Sequence, residues 1–281
     1  MSMYPCLWFN GNAKEAATFY CSVFNNSKII SDTPLVVQFA IEGKKIMGLN
    51  GGPMFTINPS ISFFVTLPTV EEIETAWNKL ADGGNIMMAL DTYPWAQKYG
   101  WVVDKFGMTW QLMLGSLPEG APKIIMSFLF AGQQYGKAQE AINFYTTTFP
   151  HSHIHHIEFY QENEPQPAGN LKFGHFTMLQ EMFAAMDGIG DHQFQFNEAV
   201  SLVVECETQA EIDNYWDILS RDGKESQCGW LTDKFGVSWQ IVPSILARLM
   251  TTPGKAGSVT QAFMKMKKMD IATLIAAAEA S

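Results

Sequence analysis

Hydrophobic and polar positions change rhythm along the chain in a recurring order. A short apolar run over 5–9 leads into helical spacing, with Ala16, Phe19, Tyr20, Val23 and Phe24 three or four apart. Asn12 and the Ala-Lys-Glu behind it suit the start of that helix. Strands are predicted over 28–31, 36–41 and 45–50, ended by the turn Asn50-Gly51-Gly52-Pro53. The order then restarts, with a strand over 62–67, a helix over 69–81 and later strands ending with 108–114. The first half of the chain therefore holds two strand–helix–strands modules.

The second half repeats the first. AKEAATFYCSVF (13–24) matches AQEAINFYTTTF (138–149), INPSIS (57–62) matches FNEAVS (196–201), and IETAWNKL (73–80) matches IDNYWDIL (212–219). GWVVDKFGMTWQL (100–112) then matches GWLTDKFGVSWQI (229–241). Four blocks in one order mean a tandem duplication with small loop insertions. The expected layout is a first domain over 1–116, a Gly- and Pro-containing linker over 117–122, a second domain over 123–250 and a helical tail over 251–281. The fold class is α+β, with helices on one face of curved, mostly antiparallel sheets.

Composition narrows the function classes. At 281 residues and 47% hydrophobic the chain can build real cores. A net charge of −10 argues against a nucleic-acid partner. Lys265, Lys267 and Lys268 read as a solvated helix face. No apolar run reaches the length of a membrane span, and the four cysteines form no Cys-x-x-Cys pair. A cytoplasmic protein with reduced thiols is expected.

WFNGNAKEAATFY, LNGGPMF, the Ser-Phe-Phe-Val strand and GWVVDKFGMTWQL together resemble the PhnB-like branch of the vicinal oxygen chelate superfamily. That superfamily includes glyoxalase I, bleomycin-resistance proteins and extradiol dioxygenases. Many PhnB-like sequences carry the label 3-demethylubiquinone-9 3-methyltransferase. The resemblance implies tandem domains of paired βαβββ modules that form a curved sheet cup around a ligand, with helices outside. It also implies an internal pseudo-dimer, with further pairing as a homodimer left open, because single-repeat relatives resemble half of this chain and commonly pair.

In metal-dependent members, a His from the first strand, a His or similar residue opening the second module and a Glu on the last strand hold one divalent ion. Carried over, these positions fall near Tyr4 and Ile125, at or next to Ser62 and Ser201, and at Gln111 and Gln240. A neutral amide or hydroxyl is a weak metal donor. The expectation is therefore no metal and no cofactor, with a small molecule bound among Tyr4, Cys6, Trp8, Gln38, Ser62, Phe64, Gln111, Ser201 and Gln240. Gln111 and Gln240 are either pocket residues or buried amides satisfied by backbone.

An atypical enzyme is the alternative. His175, aligned with Gln38, is then the general base, and Asp187, aligned with Asn50, is a second weak candidate beside its reading as a turn former. The His151–His156 run has no counterpart in the first repeat and reads as a half-exposed strand. Cys6 and Cys228 read as packing or pocket-lining residues, since no base is adjacent. The methyltransferase label finds no glycine-rich helix entry, because Pro53 blocks that reading of the Asn50 turn. The segment 88–97, with Tyr93-Pro94-Trp95, is read as a lid or plug that makes the two cups unequal.

Overall fold

The computed structural model describes residues 1–190 and 192–280. Its first module is β1 (Ser2–Phe9), α1 (Ala13–Val23), β2 (Lys28–Asp32), β3 (Val36–Ile41) and β4 (Lys44–Asn50). The second is β5 (Ile61–Leu67), α2 (Val70–Ala81), β6 (Asn85–Tyr93), β7 (Ala96–Val103) and β8 (Thr109–Leu114). The second repeat gives β9 (Ile124–Phe130), α3 (Ala138–Thr148), β10 (His153–Phe159), β11 (Leu171–Met178) and β12 (Glu181–Asp187). It continues with β13 (Val200–Cys206), α4 (Gln209–Ser220), β14 (Lys224–Glu225), β15 (Trp230–Thr232) and β16 (Ser238–Pro243). Helices α5 (Leu246–Thr251), α6 (Ala256–Phe263) and α7 (Ile271–Glu279) follow. The result is mixed α+β, with tandem modules, helices outside and strands in two sheets of eight.

Two compact units divide the chain: Cys6–Val200, and Met1–Pro5 with the residues from Ser201 onward. The larger unit holds one complete sheet, in the order β10-β11-β12-β9-β5-β8-β7-β6. Its centre is the antiparallel pair β5 and β9, with Ser62 opposite Ser127 and Phe64 opposite Ile125. Every residue of both strands is buried. This sheet therefore joins the second module of the first repeat to the first module of the second. Within a module the outer strands pair in parallel, as β5 does with β8 and β9 with β12.

The helices form for local reasons. α1 buries Ala13, Ala16, Ala17, Tyr20 and Val23, a single stripe at helical spacing. Its Tyr20 and Phe24 rings pack on Trp110 with centroids 5.2 Å away in each case. α2 and α4 start alike: the Thr69 hydroxyl accepts from Glu72 N–H at 3.2 Å and the Thr208 hydroxyl from Glu211 N–H at 3.2 Å. At Thr208 the Glu211 side chain completes a capping box.

The block written twice, Asp-Lys-Phe-Gly-x-x-Trp-Gln, is a self-tied turn. Asp104 Oδ1 accepts from the N–H groups of Phe106 at 2.7 Å and Met108 at 3.1 Å, and Oδ2 from the Trp110 indole at 2.7 Å. Asp233 repeats this with Phe235, Val237 and Trp239 at 2.8, 3.1 and 2.9 Å. Gly107 and Gly236, at φ +89° and +87°, supply the left-handed step that the turn needs.

Two elements depart from the sequence reading. Residues 88–97 are not a loop but the end of a long β6–β7 hairpin, whose register shifts at bulges after Ile86, Met88 and Asp91. The tail lysines do more than face solvent. Lys268 bridges Asp213 at 3.2 Å and Asp217 at 3.1 Å, and Lys267 lies 3.6 Å from Glu225. Met266 and Lys267 carbonyls accept from Cys228 and Gly229 N–H, and the Gln209 side chain bonds both Met269 O and Ile271 N–H.

Candidate functional site

Alternation along the strands sends Trp110 and its neighbours beneath the helices and Gln111 to the opposite face of the complete sheet. Gln111 is 4% exposed. Its Oε1 accepts from Tyr99 O–H at 2.8 Å and its Nε2 donates to Ser62 Oγ at 2.6 Å. The amide thus ties β7, β8 and β5 together. Trp101 and Phe64 flank Gln111 on the adjacent strands. Burial pushes the Tyr99 phenol well above the ordinary tyrosine range, so it stays a neutral donor.

Ser62 also begins a row across the sheet. Ser127 lies opposite it, Ala184 opposite Ser127, His175 opposite Ala184, and His156 on the edge strand opposite His175. Phe64, Tyr99, Ile125 and Ala184 form a buried cluster on this face, with Met88, Tyr93, Ala96, Trp101, Met113, Phe173 and Met182 packed against it. Three buried polar atoms here have no hydrogen-bond partner: Trp101 Nε1, Ser127 Oγ and His175 Nε2. Burial, then His156 and His155, hold the His175 pKa below the ordinary histidine value, which keeps the ring neutral.

The other expected residues divide. Tyr4 and Trp8, grouped by the sequence reading with Ser62, Phe64 and Gln111, lie on β1 and not on this sheet. Cys6, buried, registers with Met47, and Met47 with Gln38. The Trp8 indole is already spent on Gly52 O at 2.7 Å. In the smaller unit Gln240 Nε2 donates to Ser201 Oγ at 3.0 Å, repeating the Gln111–Ser62 pair. Tyr4 O–H there donates to Glu205 Oε1 at 2.8 Å, and Ser2 Oγ donates to Oε2 at 2.6 Å.

Asp187 leaves the candidate set for a structural reason. Its Oδ1 accepts from Gly136 N–H at 2.9 Å and Ala138 N–H at 3.2 Å, and its Oδ2 from Leu171 N–H at 2.8 Å. Its strand parity places it on the opposite face from His175. All four cysteines are free thiols, and burial raises Cys228 above the ordinary thiol range, which removes a thiolate nucleophile. Among the described residues no group of three or more His, Cys, Asp or Glu side chains is arranged to hold a metal ion.

Trp101, Ser127, Tyr99 and Glu205 were missing from the sequence-derived set. Ser127 carries no motif, Trp101 stands inside the repeated block without being singled out, and their place on this face follows from the β5–β9 and β7–β8 registers. Tyr99 stood one residue before the repeated block and signalled nothing by itself.

The family model described as 3-demethylubiquinone-9 3-methyltransferase matches residues 1–113 and 122–242. The chain belongs to this family, the PhnB-like branch of the vicinal oxygen chelate fold. The solved PhnB protein from Bacillus cereus is 36% identical over 41% of this chain and 100% of its own, with a TM-score of 0.39. A solved protein from Pseudomonas aeruginosa is 24% identical over 39% of this chain and 93% of its own, with a TM-score of 0.34. Glyoxalase I from Zea mays shares the fold over 90% of this chain and 97% of its own, at 11% identity and a TM-score of 0.56. The search of curated proteins found no match. Among the described residues no helix is long and apolar enough to cross a membrane.

Proposed function

We propose that the chain is a metal-independent small-molecule-binding protein whose principal site is the face of the β5–β12 sheet opposite the helices. One observation carries this reading: Trp101 Nε1, Ser127 Oγ and His175 Nε2 are buried without partners on that one face. Each such atom costs about 1–3 kcal/mol in a folded protein. A ligand that meets them recovers this cost. The aromatic and methionine side chains around them offer an apolar bed.

The donor set does not fit a divalent ion. On this sheet the family's ligand positions carry Ile125, Ser62 and Gln111, and in the smaller unit Tyr4, Ser201 and Gln240. Neither the β-sheet face nor the turn at Asn50 offers a helix entry of the type that cradles S-adenosylmethionine, so methyl transfer is disfavoured. The free thiols support the cytoplasm as its compartment.

An atypical enzyme is the second reading, favoured by His175 alone: a neutral imidazole with a free Nε2 can act as a general base. Native mass spectrometry of gently purified protein, with elemental analysis, tests the proposal. A retained organic mass lost in Ser127→Ala or Trp101→Phe protein is expected. About one Zn, Fe, Ni or Mn per domain, surviving chelator washes, would overturn metal independence.

A further inference from the structure

Around Gln111 the polar groups of the β5–β12 face are biased toward donors, and the bias follows from one amide, while Ser127 Oγ on β9 and His175 Nε2 on β11 can also accept. Gln111 bonds Tyr99 on one side and Ser62 on the other. As placed, its carbonyl is filled by Tyr99 O–H, which leaves the Ser62 hydrogen free. With the amide reversed, its carbonyl is filled by Ser62 O–H, which leaves the Tyr99 hydrogen free. In both arrangements one lone pair of the carbonyl is taken and one hydroxyl hydrogen remains. The Trp101 indole adds an unpartnered group that can only donate.

Fixed charge on this face stands on its two edge strands: Asp91, exposed on β6, registers with Tyr99, and Glu158 on β10 registers with Phe173 and is paired with Lys172 at 2.9 Å. His155 and His156 lie on the exposed edge strand, and burial holds His175 neutral. An ion placed at the centre of the face would lose its hydration away from the charges of both edge strands. The apolar groups are chiefly rings and thioethers. Phe64 meets Phe173 at 5.9 Å between centroids, and Phe173 meets His175 at 4.6 Å. Met88, Met113 and Met182 pack against the Phe64–Tyr99 cluster, and methionine repacks readily around a flat guest.

We propose that this face takes a neutral aromatic molecule held through its oxygen acceptors, and that Tyr99 sets this preference by occupying the Gln111 carbonyl. The inference rests on the reading of the face as a ligand site. Tyr99 is a positioning and specificity residue here. At the matching place in the second repeat stands Cys228, a far weaker donor.

Three one-ring probes separate the possibilities at pH 7: acetophenone (neutral acceptor), benzoate (anionic acceptor) and aniline (neutral donor). The indole resonance of Trp101, assigned by its loss in Trp101→Phe protein, reports binding by nuclear magnetic resonance titration. Acetophenone should shift it saturably and bind roughly tenfold more tightly than either other probe, the ratio that one well-made buried hydrogen bond supplies. In Tyr99→Phe protein the acetophenone-to-aniline ratio should fall, because the amide is free to present its carbonyl. Should that variant not fold, Tyr99→Cys, which copies the second repeat, makes the same comparison. Benzoate or aniline equalling acetophenone overturns the ligand class and leaves the site standing. An unchanged ratio in the Tyr99 variants overturns the role of Tyr99. No saturable shift with any probe overturns the site reading as well.

Discussion

A buried carboxylate with every acceptor filled still titrates abnormally, and Asp104 is such a case. Burial raises its pKa to about 6, against the pull of the Trp110 indole and the Phe106 and Met108 N–H groups. The folded state therefore holds this proton more tightly than the unfolded chain, whose value is 3.8. The stabilisation from that proton is fully present below the unfolded value and is lost as pH rises through about 6. Urea unfolding across that window should show a fall in stability with rising pH that disappears in Asp104→Asn. That variant should also lose about 1–3 kcal/mol, since an amide offers one acceptor where the turn requires two. A pH profile identical in the two proteins would refute the assignment. At this scale the sequence was partly legible. Gln111 and Gln240 were visible because each ended a repeated block, and each proves to bond a serine that the repeat also aligns, Ser62 and Ser201. Ser127 and Glu205 were not visible, since their partners or neighbours come from strands far away in the chain.

Among elements, the β6–β7 hairpin differs most between the repeats. Gly84 and Gly100 are separated by all of β6, its turn and the first half of β7, whereas Gly223 and Gly229 are separated only by the short β14 and its turn. Aromatic rings run from its tip to the sheet: Trp95 stacks on Tyr93 at 5.1 Å, and Tyr93 meets Tyr99 edge-on at 5.8 Å. Trp95 is 61% exposed, while Tyr93 packs on the Phe64–Tyr99 cluster. The two rings should thus separate function from stability. Trp95→Ala should leave thermal unfolding within about 0.5 kcal/mol of the parent, as exposed substitutions do, yet weaken ligand retention. Tyr93→Ala should cost about 1–3 kcal/mol, because it strips a ring from a packed cluster. Unfolding curves and native mass spectra of the two variants decide this. Equal losses of stability would make the hairpin a packing element and not a lid. The residues that this segment adds over the second repeat, with Pro94 among them, read as an inserted loop in the sequence, and the bulged strands hide the period-two pattern that would mark a hairpin.

For the whole molecule, the repeat predicted the modules but not their partners. Every module starts with a largely apolar strand, and β5 and β9 are equally buried throughout, so no pattern along the chain says which pair meets. The meeting is decided by edges: β5 and β9 pair antiparallel, and one eight-stranded sheet then draws four strands from each repeat. A chain cut within the linker, expressed as residues 1–116 and 123–281, should therefore copurify as one 1:1 complex. Each half alone would expose the edge of a mostly apolar strand, a template for pairing with another copy. The intact linker raises the local concentration of one half for the other to roughly the millimolar range. The cut pair should accordingly fall apart on dilution where the parent does not, and either half alone should run as a self-associated species in light-scattering chromatography. Halves that elute separately as well-folded monomers at micromolar concentration would contradict the shared sheet as the joint between the repeats.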